Sequence, residues 1–125
     1  MCQGDVPSAL NVVATGGNGA FSYQWHSNNV NDTISGTEIS GATSANYLPP
    51  TAIAGTQYYY CVVSQSDLGC VVTSTIASVQ ISVSPTITVQ PISSTVCIGE
   101  APTTLTFTFS NGVGTPIYQW YSNTI

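Results

Sequence analysis

The side chains able to do chemistry are few: one histidine (His26), four cysteines (Cys2, Cys61, Cys70 and Cys97) and five carboxylates (Asp5, Asp32, Glu38, Asp67 and Glu100). Hydrolysis through a nucleophile needs a Ser, Cys or Thr with a positioned base, and His26 is the one conventional base available. Glycoside cleavage needs two carboxylates facing across a cleft, whereas Asp32, Glu38 and Asp67 fall in loop sequence. Calcium asks for several oxygen ligands. Asp5 and Glu100 are weak candidates for it, one carboxylate per loop, without any Asp-x-Asp-x-Asp-Gly run. A zinc site is disfavoured because no Cys-x-x-Cys pair occurs and the single His stands apart. Four cysteines point to an oxidising compartment and admit three full pairings.

What positions these residues is a stretch that the chain writes twice. Cys2-Gln-Gly4, Pro7, Leu10, Gly17, Gly19 and Tyr23-Gln-Trp25-His-Ser-Asn28 return as Cys97-Ile-Gly99, Pro102, Leu105, Gly112, Gly114 and Tyr118-Gln-Trp120-Tyr-Ser-Asn123. From position 2 to position 97 the displacement is 95 residues, and every other mark keeps it without a gap. A match of this kind marks a tandem array. It also weighs the chemistry, because the second copy carries Tyr121 where the first carries His26. A place that accepts either ring reads as a surface aromatic beside Trp25. Asp5 and Glu100 are likewise counterparts of each other. No enzyme activity and no cofactor are expected.

Composition narrows the partners. The 125 residues include no Lys or Arg and carry a formal charge of −5, so phosphate-rich nucleic acid and anionic membrane surfaces are not expected partners. Hydrophobic residues at 42% and aromatics at 10% are too many for a disordered chain. No run of eighteen apolar residues is present, and membrane insertion is not expected. Solubility must come from Ser, Thr, Asn, Gln and Gly, a surface suited to the cell exterior. Met1 is followed by Cys2 without a basic region or apolar stretch of the signal-peptide type.

Period-two alternation recurs along the chain and no helical period does. Leu10, Val12 and Ala14 alternate with polar neighbours, as Leu105, Phe107 and Phe109 do in the second copy. Gly16-Gly-Asn-Gly19 and Asn111-Gly-Val-Gly114 are turns. Phe21, Tyr23 and Trp25 make the next strand. Asn28 to Gly41 is polar and turn-rich, Ala42 to Tyr47 is a short strand, and Gln57 to Ser64 is a strong β run. Asp67-Leu-Gly69 turns the chain into a long strand from Cys70 to Val83. The expected fold is an all-β sandwich over residues 1–83, followed by the first strands of a second, truncated repeat over 84–125. Trp25, Tyr59, Cys61 and Trp120 are the expected core residues.

A Trp followed 36 residues later by the Cys of Tyr59-Tyr-Cys61 resembles the immunoglobulin arrangement, although the usual first Cys is replaced near Val12. A nearer resemblance rests on Cys-x-Gly, Tyr-Gln-Trp-x-Ser-Asn, Ile39-Ser-Gly-Ala-Thr-Ser44, Tyr47-x-Pro-Pro50, Ala54-Gly-Thr56-x-Tyr58-Tyr59 and Gly69-Cys70. In these the chain is similar to the immunoglobulin-like tandem repeats of giant Bacteroidota cell-surface proteins, such as gliding-motility adhesins and other type IX secretion cargo. The resemblance implies an antiparallel Greek-key sandwich, an extracellular or cell-surface location, and neighbouring repeats of the same polypeptide as partners. It also implies a Cys2–Cys70 disulfide, with Cys97 pairing in the next unit and Cys61 left as a buried thiol. Such a bond would add roughly 4 kcal/mol in the chain-entropy model. Asn31-Asp-Thr33 is a sequon, and Asp32-Thr-Ile34 is similar to an O-glycan pattern of that phylum, making Asn31 and Thr33 candidate sugar sites.

The function expected from this is a structural stalk repeat in a secreted or surface-anchored adhesin. Few residues join the two copies, and Pro85 and Pro91 limit their freedom, so a stiff rod is anticipated. Two alternatives accompany it. One is a carbohydrate- or surface-binding module using Tyr58, Tyr60 and His26. The other starts from the second copy, whose Leu105, Phe107, Phe109 and Trp120 lack an opposing sheet. Either the chain is an excerpt from a longer polypeptide, which is favoured, or copies exchange strands into a filament.

Overall fold

The computed structural model describes residues 1–66 and 69–125. Asp67 and Leu68, and with them the turn expected at Asp67-Leu-Gly69, lie outside the described residues. The chain divides into two compact units, Met1–Ser82 and Val83–Ile125.

The first unit is built from β1 (Leu10–Asn11), β2 (Phe21–Asn28), β3 (Thr37–Glu38), β4 (Asn46–Tyr47), β5 (Gly55–Gln65), β6 (Val71–Thr73) and β7 (Ala77–Ile81). β5 is the hub, as its run of aromatic and β-branched residues from Tyr58 to Val63 favours. β2 lies antiparallel along one of its edges, in register from Phe21 opposite Gln65 to Asn28 opposite Tyr58. The other edge is shared, β6 pairing with Val62–Ser64 and β7 with Gly55–Tyr59. β3 completes this five-stranded sheet beyond β2, and β1 with β4 makes a second, two-stranded sheet.

Alternate residues of β5 explain the core. Tyr59, Cys61 and Val63 share one face and cluster with Trp25, Val79 and Ile81, while Leu10, Val12, Ala14, Ile39 and Tyr47 pack against that cluster. Trp25 stands directly opposite Cys61. Its indole N–H donates to Ser44 O at 2.8 Å, so burying the ring leaves no orphaned donor. Two sheets facing each other over one apolar layer make a β-sandwich.

Three strands are shorter than their hydrophobic pattern predicts. The long strand expected from Cys70 to Val83 is broken at Ser74. There Cys61 N–H donates to the Ser74 hydroxyl and Ser74 N–H donates to Cys61 O, both at 2.9 Å. A side chain takes the place of a ladder carbonyl, and pairing resumes only at Ala77. From Ala42 to Tyr47 only the last two residues pair as a strand; Ala42 O accepts from Trp25 N–H instead, at 3.0 Å. The run from Leu10 to Ala14 keeps its alternation but pairs only at Leu10–Asn11 and through Val12 N–H to Ala45 O. Val13 is 88% exposed.

The ends of the first unit meet. Cys2 and Ser82 form a parallel bridge, with Gln3 N–H donating to Ser82 O at 2.8 Å and Ser82 N–H donating to Met1 O at 2.9 Å.

In the second unit β8 (Thr86–Val89) pairs antiparallel with β9 (Thr108–Ser110), placing Thr86 opposite Ser110 and Ile87 opposite Phe109, with a register shift before Val89. The Tyr118–Tyr121 stretch is not a strand. Trp120, expected in the core, is 49% exposed, its ring edge-on to Phe107 at 5.6 Å. Two strands cannot close over their own apolar face. Local details of the repeat nevertheless recur. Gln24 Nε2 donates to Trp25 O at 3.1 Å and Gln119 Nε2 to Trp120 O at 3.0 Å. The N–H groups of Asp5 and Glu100 donate to the carbonyls of Cys2 and Cys97, each at 3.1 Å. Asn111 holds φ 64° where the first copy has Gly16 at 86°, a left-handed conformation that asparagine tolerates better than other side chains do.

Candidate functional site

His26 and Tyr60 are cross-strand neighbours on the outer face of the larger sheet, with rings stacked 5.0 Å apart and 4° from parallel. Pairing of β3 with β2, His26 opposite Glu38 and Ser27 opposite Thr37, folds the intervening loop back across that face. Gly36 comes down on the Tyr60 ring, so close that a Cβ there would stand 2.5 Å from Tyr60 Oη. Tyr60 is accordingly only 3% exposed. This corrects the expectation of an open aromatic platform: Tyr60 is covered, and only Tyr58 and His26 keep part of their surface in solvent. His26 Nδ1–H points to Gln24 O at 3.3 Å, a backbone carbonyl rather than a nucleophile.

The covering loop has its own anchor, in Asn28, Asp32 and Ser35. Asn28 is buried, and its Nδ2 donates to Asp32 O, Asp32 Oδ1 and Ser35 Oγ at 3.0–3.1 Å. Asp32 Oδ1 also accepts from Ile34 N–H at 2.9 Å and Ser35 N–H at 2.8 Å, and the Ser35 hydroxyl reaches both carboxylate oxygens. The Ser35 and Ile34 amides, with the Ser35 hydroxyl, hold the Asp32 carboxyl below the usual carboxylate range. Asp and Asn bonding to backbone N–H two or three residues on is a turn device, and Asn28, Asp32 and Ser35 carry its signal in the sequence. Asn31 and Thr33, the candidate sugar sites, are exposed on this turn.

The cysteines do not pair as the family resemblance implied. Cys2 lies beside Ser82, which follows the Ile81–Gly55 pair, whereas Cys70 O accepts from Gln65 N–H at the other end of β5. Those ends are separated by an 11-residue strand, roughly 35 Å, where a disulfide needs Cα atoms within about 7 Å. Cys2, Cys70 and Cys97 are exposed and none of the four is bonded to another. Cys61 is buried as expected in the core, and burial pushes its thiol pKa up. Asp5 has a local duty, its Oδ2 accepting from Cys2 N–H at 2.7 Å to close the turn that Glu100 repeats only through the backbone. Among the described residues no three His, Cys, Asp or Glu gather as a metal site, and no helix is long and apolar enough to cross a membrane.

A groove of about 460 Å³ lies between the Val12–Gly17 segment and β6, lined by Val12, Ala14, Phe21, Val63 and Val71 among others. Its Val13–Thr15 wall has no backbone hydrogen-bond partner among the described residues. Residues 1–91 match a family model described as a domain of unknown function (DUF8696). No curated protein and no solved structure matches the chain.

Proposed function

For this chain, which belongs to the DUF8696 family, we propose a non-catalytic mechanical role: a stalk or spacer repeat of a secreted or surface-anchored bacterial adhesin, of immunoglobulin-like type. The supporting observation is the parallel bridge of Cys2 with Ser82. Parallel neighbours run in the same direction, so the backbone enters the unit and leaves it along one line of travel, as an extended tandem array requires. Tension applied through the two ends loads the Gln3–Ser82 and Ser82–Met1 hydrogen bonds sideways and together, instead of peeling them one at a time. Trp25 opposite Cys61, with Tyr59 two residues earlier, supports the immunoglobulin-like reading of the sandwich. The 95-residue repeat, with its recurring turn and glutamine bonds, supports an array.

Single-molecule pulling on the full chain held by its termini tests the role. The substitution Gln3→Pro removes the amide that donates to Ser82. The rupture force of the first unit should drop while its urea midpoint moves much less. An unchanged rupture force would remove the clasp from the mechanism and the proposal with it.

A further inference from the structure

We infer that the cavity at the Gly55 end of β5 binds a neutral sugar, free or at the end of a glycan, through Tyr59 and the hydroxyl and amide side chains around it. The sheet register makes the site. Thr37 stands opposite Ser27 and Ser27 opposite Tyr59, so the three side chains form one row across β3, β2 and β5 and project to the same face. That face is the inner one, because Tyr59 belongs to the core cluster. Gln57, two residues earlier on β5 and opposite Val79, extends the row by one step. Inner positions that hold Trp25 and Cys61 nearer the middle of the sheet thus hold hydroxyls and an amide at this end, where a core would take apolar side chains. A local departure from the packing rule is expected where a fold carries a function.

The row lines a cavity of about 390 Å³, together with Tyr47, Val79 and Ile81. Small-molecule sites run from about 300 to 1,000 Å³, whereas one water takes only about 30 Å³. Tyr59 is 3% exposed, yet its hydroxyl bonds to no other group among the described residues. Every side-chain oxygen or nitrogen there that is fully shut off from solvent has a partner, so the tip of the phenol opens on the cavity. The Tyr47 ring stands 5.5 Å from that of Tyr59. Burial raises the pKa of both phenols, with Tyr47 adding to the rise at Tyr59, and each stays a neutral hydroxyl that can donate and accept. No charged side chain lines the cavity, which selects against a charged ligand, since its charge would be buried without a partner. Hydroxyls and carboxamides that both donate and accept match a ligand dense in hydroxyl groups. The tyrosine rings and the aliphatic floor match the C–H faces of a pyranose. This site lies on the opposite sheet face from Tyr58 and His26; it goes beyond the stalk role and does not depend on it.

The test is titration of the full chain with neutral sugars, followed by its amide and tyrosine-ring NMR signals. Methyl glycosides of glucose, galactose, mannose and N-acetylglucosamine report a single ring, and cellotriose and chitotriose report a chain end. At least one should shift the signals of Tyr59, Gln57 and Val79 saturably; tighter binding of a trisaccharide than of its methyl glycoside marks a glycan end as the source, and equal binding marks a free sugar. Tyr59→Phe, which removes only the hydroxyl, and Thr37→Val, on an exposed strand, should each weaken binding by about three- to tenfold. Urea unfolding verifies that both variants are folded. No saturable shift at these residues with any of these sugars would overturn the inference. Binding that survives both substitutions, or that is lost in Tyr58→Phe instead, would overturn it as well.

Discussion

Gly36 is the position where a single methyl group tests the packing of the outer sheet face. A Cβ there would come within 2.5–2.9 Å of the Oη, Cε1 and Cζ atoms of Tyr60. The ring cannot swing away freely, because it is buried and stacked on His26. Overpacking of this kind costs about 1–3 kcal/mol. Gly36 is not in the left-handed region, so Gly36→Ala also recovers about 0.4–1 kcal/mol by restricting the unfolded chain. The net loss is about 1–2 kcal/mol, or a fall in Tm on the order of 5–15 °C for a unit of this size. The decisive assay is a double-mutant cycle by urea unfolding. With Tyr60→Leu in place the clashing atoms are gone, and Gly36→Ala should become neutral or mildly stabilising. Equal effects of Gly36→Ala in both backgrounds would refute the contact between the loop and Tyr60.

Other expectations follow from the same contacts. Alkylation should label Cys2, Cys70 and Cys97 in the native chain and reach Cys61 only on unfolding, since that thiol is buried and its pKa is raised; timed mass spectrometry reads the order. The Asp32 carboxyl has a lowered pKa in the folded chain. Its support of the loop is therefore complete above the ordinary value of 3.8 and is lost as pH falls through the depressed folded value. Amide exchange of Ile34 and Ser35, corrected for its intrinsic pH dependence, should accelerate in that acid window, and in Asp32→Ala at every pH. His26→Tyr, which installs the residue of the second copy, should leave the unfolding free energy within about 1 kcal/mol of wild type, because a phenol ring can also stack on Tyr60.

The inner layer of the fold was legible in the sequence because alternation and burial coincide there. Trp25, read from the period-two run of Phe21, Tyr23 and Trp25, is buried together with Tyr59 and Cys61, the other residues expected in this layer. The outer face was not legible. Tyr60 obeys the alternation that should expose it, yet a polar loop anchored by Asn28 and Asp32 covers it, and periodicity along one strand carries no information about a loop lying across it. Strand lengths failed for a related reason. Ser74 interrupts a run whose hydrophobicity is continuous, and Val13–Thr15 have the pattern of a strand without a partner. The Cys2–Cys70 pairing came from family likeness alone, and the register of β5 places the two residues at opposite ends. Trp120 shows the converse limit: it repeats the mark set by Trp25, yet its ring is 49% exposed.

The mechanical claim is tested most directly by the direction in which the first unit is pulled. Held through the chain termini, the paired bonds of Gln3 and Ser82 are loaded in shear; held through Gly17 and Ser82, they are bypassed and the sheets are peeled from one end. The rupture force along the termini should be clearly higher than in the second geometry. Equal forces in the two directions would contradict it.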